Sequence, residues 1–156
     1  MKRISIVLFV ALTTVAACSK GGDEGGGGAP ATVKLDKLGH AIDVPGKVNV
    51  GDAIAAEGAM LQGGGVGAMQ IEIAKSAQTL AEAKSDADMY SPKNLKEETL
   101  ADGWALTFEN KGGMGTNYFV DVRRTIDGKD YKCSTTGSRS GQAAAVLAAC
   151  KTLRKG

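Results

Sequence analysis

In the last third of the chain, apolar and polar side chains alternate in three consecutive stretches. In residues 104–108, 118–122 and 131–135, every second side chain is apolar or otherwise suited to a buried face. A period of two is typical of strands that bury one face. The pattern therefore predicts a three-stranded antiparallel meander over residues 103–136. The positions that would share a face within each strand are Trp104, Leu106, Phe108; Tyr118, Val120, Val122; and Tyr131, Cys133, Thr135.

A turn sequence fixes the register of the last two strands. The Asp-Gly pair at 127–128 is typical of a two-residue type I′ turn. With two residues in the turn, Ile126 pairs with Lys129. Val122 then lies opposite Cys133, and the apolar faces of the two strands coincide. A looser connection is expected at 111–115, between the first two strands.

The spacing becomes helical in "SRSGQAAAVLAACKTLRKG", residues 138–156. Apolar side chains recur there at intervals of three and four, which is one stripe of a helix. Either Ser138 or Ser140 can cap its N-terminus, and basic residues gather near its C-terminus, where the helix dipole favours cations. The stripe consists of Ala143, Val146, Leu147, Cys150 and Leu153.

The middle of the chain predicts further elements. "MQIEIA" alternates over 69–74 and indicates a strand, and a stretch rich in Ala, Glu and Lys predicts a helix over 76–88, with Ser76 as its cap. "NLKEETLADG", residues 94–103, is typical of a polar edge strand. Glu97 and Glu98 would point to opposite faces of that strand, so their adjacency does not indicate a carboxylate pair for catalysis.

Two segments nearer the start leave alternatives open. "HAIDV" and "KVNV" flank the Pro-Gly pair at 45–46, which predicts either a hairpin or two short strands around a turn. In "GDAIAAEGAMLQGG", Asp52 could cap a short helix, whereas the glycines favour a strand.

The whole pattern predicts an α+β fold, in which an antiparallel sheet carries a C-terminal helix and a mid-chain helix. The order of elements resembles the PsbP/Mog1-like α/β sandwich.

The N-terminus has the features of an export signal. Lys2 and Arg3 precede fourteen uncharged residues, 4–17, a length typical of the apolar region of a signal peptide and short for a membrane span. Val15-Ala16-Ala17-Cys18 then resembles the lipobox of bacterial lipoproteins. The resemblance implies cleavage before Cys18, lipidation of its sulfur and acylation of the new amino terminus. Ser19 resembles an outer-membrane sorting residue.

The next residues predict the organisation of the mature chain. Residues 18–32 contain six glycines and small or polar residues, which favours a flexible tether between lipid and domain. Residues 33–156 are of a length suited to one globular domain. With Cys18 assigned to lipid, Cys133 and Cys150 form an even pair in an exported protein, which predicts a disulfide between strand and helix.

Charge and composition argue against two classes of binding partner, nucleic acids and sugars. Removing residues 1–17 takes two cations from the nineteen, and leaves 17 Lys and Arg against 17 Asp and Glu. A neutral domain argues against nucleic acid as a partner. One Trp, three Tyr and three Phe also argue against a sugar-stacking cleft.

The sequence holds no recognisable reaction centre. The only histidine, His40, aligns with Ile42 and Val44 on a short strand, and no GxSxG motif frames a serine. No ligand spacing indicates a metal, and the glycine clusters lack the Gly-Lys-Ser/Thr of a phosphate loop. We therefore expect neither a catalytic residue nor a cofactor. The two glycine-rich loops are retained as interaction candidates: Gly63, Gly64, Gly65, Gly112, Gly113 and Met114.

These observations favour a non-catalytic lipoprotein of the cell envelope, anchored to the membrane through Cys18, that binds an envelope protein or stabilises an assembly. The alternative is a small-ligand carrier or a hydrolase whose site is assembled from scattered residues. A polar-lined pocket with His40 or converging carboxylates would favour the alternative.

Overall fold

A computed structural model describes residues 29–54 and 56–156. Within these ranges the chain forms ten strands and two α-helices, with a short 3₁₀ turn at Asp36–Leu38. In chain order they are β1 (Pro30–Leu35), β2 (His40–Pro45), β3 (Val48–Asp52), β4 (Gly58–Gly63), β5 (Gly67–Ile73), α1 (Leu80–Asp88), β6 (Lys93–Leu100), β7 (Gly103–Gly112), β8 (Gly115–Ile126), β9 (Lys129–Ser138), α2 (Ser140–Lys151) and β10 (Arg154–Lys155).

The strands form two antiparallel sheets. The large sheet has seven strands in the order β3-β4-β5-β9-β8-β7-β6, and the small sheet has three in the order β1-β2-β10. The two helices pack on strands, so the predicted α+β class is confirmed.

The predicted meander is confirmed as β7, β8 and β9, and so is its register. Ile126 pairs with Lys129, and Val122 lies opposite Cys133. The connection between β7 and β8 is tighter than predicted, because Gly112 pairs with Gly115 across a two-residue turn.

The hairpin reading of residues 40–50 is wrong, and the alternative of two separate strands is correct. β2 pairs with β1 and β10 in the small sheet, whereas β3 pairs with β4 in the large one. The chain changes sheet at Gly46, whose φ of 78° lies in the left-handed region. Of the two readings of 51–64, the strand prevails, because Asp52 ends β3 and β4 follows.

The large sheet is covered on both faces. Neighbouring strand residues point to opposite sides, so Ala105 contributes to the core under α2 while Trp104 and Leu106 pack under α1. The main core also takes apolar side chains from the small sheet. Its most completely buried members include Leu35, Ile42, Val44, Leu61, Met69, Ile71, Val120, Val122, Val146 and Leu153.

The predicted disulfide joins β9 to α2. The Cα atoms of Cys133 and Cys150 are 5.8 Å apart, and both residues are fully buried in the main core. The stripe of α2 is correct up to Cys150. The helix ends at Lys151, however, and Leu153 is buried one residue beyond the C-cap Thr152.

Helix α2 is fixed at both ends by side-chain hydrogen bonds. Its N-cap is Arg139, so neither serine that was expected to cap the helix occupies that position. The Arg139 backbone N–H donates to Gln142 Oε1 at 3.2 Å. At the other end, Arg124 Nη1 donates to the carbonyl oxygens of Cys150 (3.2 Å) and Lys151 (2.6 Å), which satisfies groups that the helix itself leaves unpaired.

Helix α1 begins later than predicted, at Leu80 instead of residue 76. The cap is Thr79, whose hydroxyl accepts from the Glu82 N–H at 3.2 Å, while Glu82 Oε2 accepts from the Thr79 N–H at 2.7 Å. This reciprocal capping box is stronger than a single serine cap, which explains the later start. It also lowers the pKa of Glu82 through the hydrogen bonds from Thr79.

Strand β6 is the edge strand predicted from its polar sequence, and both helices are ion-paired to it. Lys84 of α1 lies 2.7 Å from Glu97, and Lys151 of α2 lies 2.5 Å from Glu98. The side chains of Glu97 and Glu98 therefore lie on opposite faces of the sheet, as their adjacent positions in a strand indicated. Strand β1 begins at Pro30, and residues 30–32 pair with β2.

Candidate functional site

Three aromatic side chains cluster near one end of the large sheet. Phe108 of β7 and Phe119 of β8 are cross-strand partners, and their rings stack with centroids 4.6 Å apart. Tyr90, just beyond α1, lies 5.4 Å from Phe119 and 6.1 Å from Phe108. The Tyr90 side chain is about half exposed, so the aromatic cluster extends from the buried Phe108 to the protein surface.

Two clefts meet at the stacked phenylalanines. The first, which we call the α1 cleft, has a volume of about 320 Å³ and lies beside α1. Its lining is Gln78, Ala83, Asp86, Ala87, Met89, Tyr90, Leu106, Phe108, Phe119, Asp121, Lys132 and Ser134. The second, the α2 groove, has a volume of about 650 Å³ and is lined by Asn94, Leu95, Lys96, Thr107, Phe108, Glu109, Tyr118, Phe119, Ser140, Ala143, Ala144 and Leu147.

The floor of the α1 cleft carries a carboxylate in an unusual setting. Asp121 Oδ2 lies 3.4 Å from Lys132 Nζ, but Oδ1 is buried and has no hydrogen-bond partner in the described part of the chain. Burial raises the pKa of Asp121, against the opposing effects of Lys132 and Arg123. A buried acceptor without a partner costs stability, so this position is not explained by folding alone.

The cross-strand register explains why a polar group lies there. Asp121 pairs with Leu106 on one side and Ser134 on the other, so it marks the border where this face of the sheet turns from apolar to polar. Helix α1 covers the apolar side, with Ala83 and Ala87 against Leu106. The cleft runs along the border.

The α2 groove owes its width to small residues. Ser140, Ala143 and Ala144 face it from α2, so the helix surface stands back from the edge of the sheet. Apolar atoms dominate the floor, with Leu147 from the helix, while Lys96 and Glu109 supply charges. Such a groove can hold an extended segment with apolar anchors.

His40 is a buried structural residue. Its Nδ1 lies 2.5 Å from the carbonyl oxygen of Leu38, so that nitrogen carries the proton and donates. Its ring packs on Tyr131, with centroids 4.5 Å apart. Among residues 29–54 and 56–156 its Nε2 has no hydrogen-bond partner, and neither cleft includes His40 among its lining residues. The prediction that it aligns with Ile42 and Val44 agrees with the burial of all three.

The first glycine cluster has a conformational explanation. Gly63, Gly64 and Gly65 all have positive φ in the β4–β5 turn. A Cβ on Gly64 would lie 2.7 Å from the Pro45 carbonyl oxygen, and the turn directs Val66 into the core, where it is fully buried. Close packing therefore accounts for these glycines.

The second glycine cluster lies at the tip of the β7–β8 hairpin. Gly112 pairs with Gly115, Gly113 has open space around its Cα, and Met114 is fully exposed. The six interaction candidates thus lie in two separate turns, and none of them lines either cleft. Sequence reasoning missed both clefts, because their residues come from helices and strands far apart in the chain.

Cys18 lies outside the described residues. Within 29–54 and 56–156, no helix combines the length and apolarity needed to cross a bilayer. The same ranges contain no cluster of three or more His, Cys, Asp or Glu arranged to hold a metal ion. Comparison with known proteins found no matching family model and no matching curated protein.

Proposed function

We propose that this protein is a non-catalytic, lipid-anchored binding module of the bacterial cell envelope, and that the α2 groove receives a segment of an envelope protein. The open groove of about 650 Å³ is the observation that carries the binding role. The lipobox-like sequence ending at Cys18 supports the anchor, and Ser19 supports an outer-membrane destination.

The groove suits a protein segment better than an enclosed ligand. It is open along α2, it offers an apolar floor, and its charges at Lys96 and Glu109 are of opposite sign. Interfaces of this kind obtain their affinity from a few apolar anchors and their specificity from the polar rim. A glycine-rich tether between lipid and domain would let the groove reach a partner in the same membrane.

Site-specific photocrosslinking in intact cells tests the groove. A benzoylphenylalanine at Ala144, which is exposed in the groove, should yield a discrete crosslinked species. The same residue at Ala81, exposed on α1, is the matched control. Ala144→Arg should abolish capture from a second groove position, Lys96, while Ala81→Arg should leave it unchanged. Equal crosslinking from Ala144 and Ala81, or none from Ala144, would reject the groove as a docking site.

Metabolic labelling tests the anchor separately. Radiolabelled palmitate should mark the wild type but not Cys18→Ala, because the thioether and the acylated amino terminus both depend on that cysteine. Labelling of both proteins, or of neither, would remove the support for a lipoprotein while leaving the crosslinking result intact.

A further inference from the structure

The α1 cleft has its own chemistry, distinct from that of the α2 groove. Helices α1 and α2 pack on opposite faces of the large sheet, and the cleft is lined from the α1 side. Its volume of about 320 Å³ is at the lower end of the range for small-molecule sites.

The polar end of the cleft is lined by Asp121. Asp121 Oδ1 is buried and has no hydrogen-bond partner among the described residues, while Oδ2 faces Lys132 at 3.4 Å. Ser134 is the cross-strand neighbour of Asp121, and its side chain also lines the cleft. A group that donates a hydrogen bond to Oδ1 would satisfy an acceptor that the described residues leave unpaired.

The charges that line the cleft favour a cation. Among the lining residues, Asp86 and Asp121 contribute two negative charges and Lys132 one positive, a balance of minus one. Arg123 lies outside the lining, where its Nη2 donates to Gln78 Oε1 at 2.8 Å, although its charge also acts on Asp121. Asp86 is held at the rim, where its Oδ2 accepts from Gln78 Nε2 at 2.8 Å. The carboxylates of Asp86 and Asp121 would repel an anion in the cleft, whereas they would attract an ammonium group.

The other end of the cleft is apolar and aromatic. Phe108 and Phe119 form a stacked wall, and Tyr90 and Met89 stand at the rim with large exposed fractions. Aromatic faces attract cations and pack well against rings. We propose that the α1 cleft binds a small organic ammonium with an apolar body, whose N–H donates to the Asp121 carboxylate while the body packs against Phe108 and Phe119.

A titration with 2-phenylethylammonium tests this proposal on the full chain in detergent micelles, followed by ¹H–¹⁵N NMR. We expect saturable shifts at the amides of Asp121 and Ser134, with an affinity in the millimolar range or tighter. 3-Phenylpropionate carries a similar apolar body with the opposite charge and should give no saturable shift at these amides. Absence of saturation up to about 10 mM amine, or equal binding of the two probes, would overturn the proposal.

Matched variants separate recognition from folding. Asp121→Asn should weaken binding of the amine at least tenfold, whereas Asp36→Asn removes the same charge from an exposed site outside the cleft and should have no effect. Lys132→Gln should tighten binding several-fold, because it removes the cation that competes for Asp121. If the ion pair of Asp121 and Lys132 only supported the fold, Lys132→Gln should weaken binding of the amine. Weaker binding by Lys132→Gln would therefore overturn the proposed amine site, even if Asp121→Asn fails to fold.

Discussion

Reduction of the Cys133–Cys150 bridge should cost the domain about 3 kcal/mol without unfolding it. The two cysteines are 17 residues apart in sequence. In the chain-entropy model, a closed loop of about 18 residues removes roughly 11 cal/mol/K from the unfolded ensemble, which is about 3 kcal/mol at 25 °C. Because both residues are fully buried, the reduced thiols should still pack as small hydrophobes, and little further loss is expected.

Other contacts should hold α2 on the sheet after reduction. Val146 and Ala149 are buried in the same core, and Arg124 still binds the two carbonyl groups at the C-terminus of the helix. The reduced domain should therefore unfold cooperatively at a lower denaturant concentration. With an m value of about 1–3 kcal/mol/M for a small domain, the urea midpoint should fall by about 1–3 M.

Urea denaturation of oxidised and reduced protein measures this loss. Since the sulfurs lie in the core, the reduced form is prepared by unfolding in phosphine and refolding in the same reductant. Cys133→Ala/Cys150→Ala is the control that cannot re-form the bridge, and it should match the reduced wild type to within about 1 kcal/mol. A loss below about 1 kcal/mol would refute the entropic reasoning. Failure of the reduced form to fold would show that the remaining α2 contacts are too weak.

Three further predictions concern a turn, a helix cap and the buried carboxylate. Gly64→Ala should destabilise the domain by about 2 kcal/mol or more, from positive φ and a backbone clash. Gly113→Ala, which adds a methyl group in open space, should change stability by less than about 0.5 kcal/mol. If chemical denaturation gave the same loss for Gly64→Ala and Gly113→Ala, the claim that close packing requires Gly64 would be contradicted. Thr79→Ala should cost about 1 kcal/mol through loss of the capping box with Glu82, and an unchanged midpoint would count against that cap. Since burial raises the pKa of Asp121, its ionisation destabilises the fold above that pKa, and the penalty disappears as the pH falls toward the unfolded value. Asp121→Asn should thus stabilise the domain at pH 7 and match the stability of the wild type in acid. Thermal unfolding measures both, and a variant less stable than the wild type at pH 7 would contradict the claim that ionised Asp121 destabilises the fold.

The local elements of the C-terminal third followed from the sequence. Alternation gave the three strands, the Asp-Gly turn set the pairing of Val122 with Cys133, and helical spacing brought Cys150 to the buried face. Each of these inferences depends on residues close together in the chain, where turn geometry and periodicity leave few alternatives. The likeness to the PsbP/Mog1 sandwich stays a prediction.

The boundaries of the helices were less well predicted. Ser76 was expected to cap α1, but Thr79 and Glu82 form a better reciprocal cap three residues later. Leu153 continues the helical spacing, yet the chain leaves the helix at Thr152 to place β10 beside β2. In both cases, a local pattern was compatible with two end points, and hydrogen bonds or distant pairing decided between them.

What the sequence determined by itself is the kind of each element from β5 to α2, together with the disulfide. The tertiary structure alone decided which distant elements meet. β5 pairs with β9, β10 pairs with β2, and β2 and β3 enter different sheets although two residues separate them. Period-two alternation marks a buried face but carries no information about the partner strand. Both clefts depend on that long-range pairing, because Asp121, Lys132 and the residues of α1 become neighbours only when the sheet and its helices have assembled.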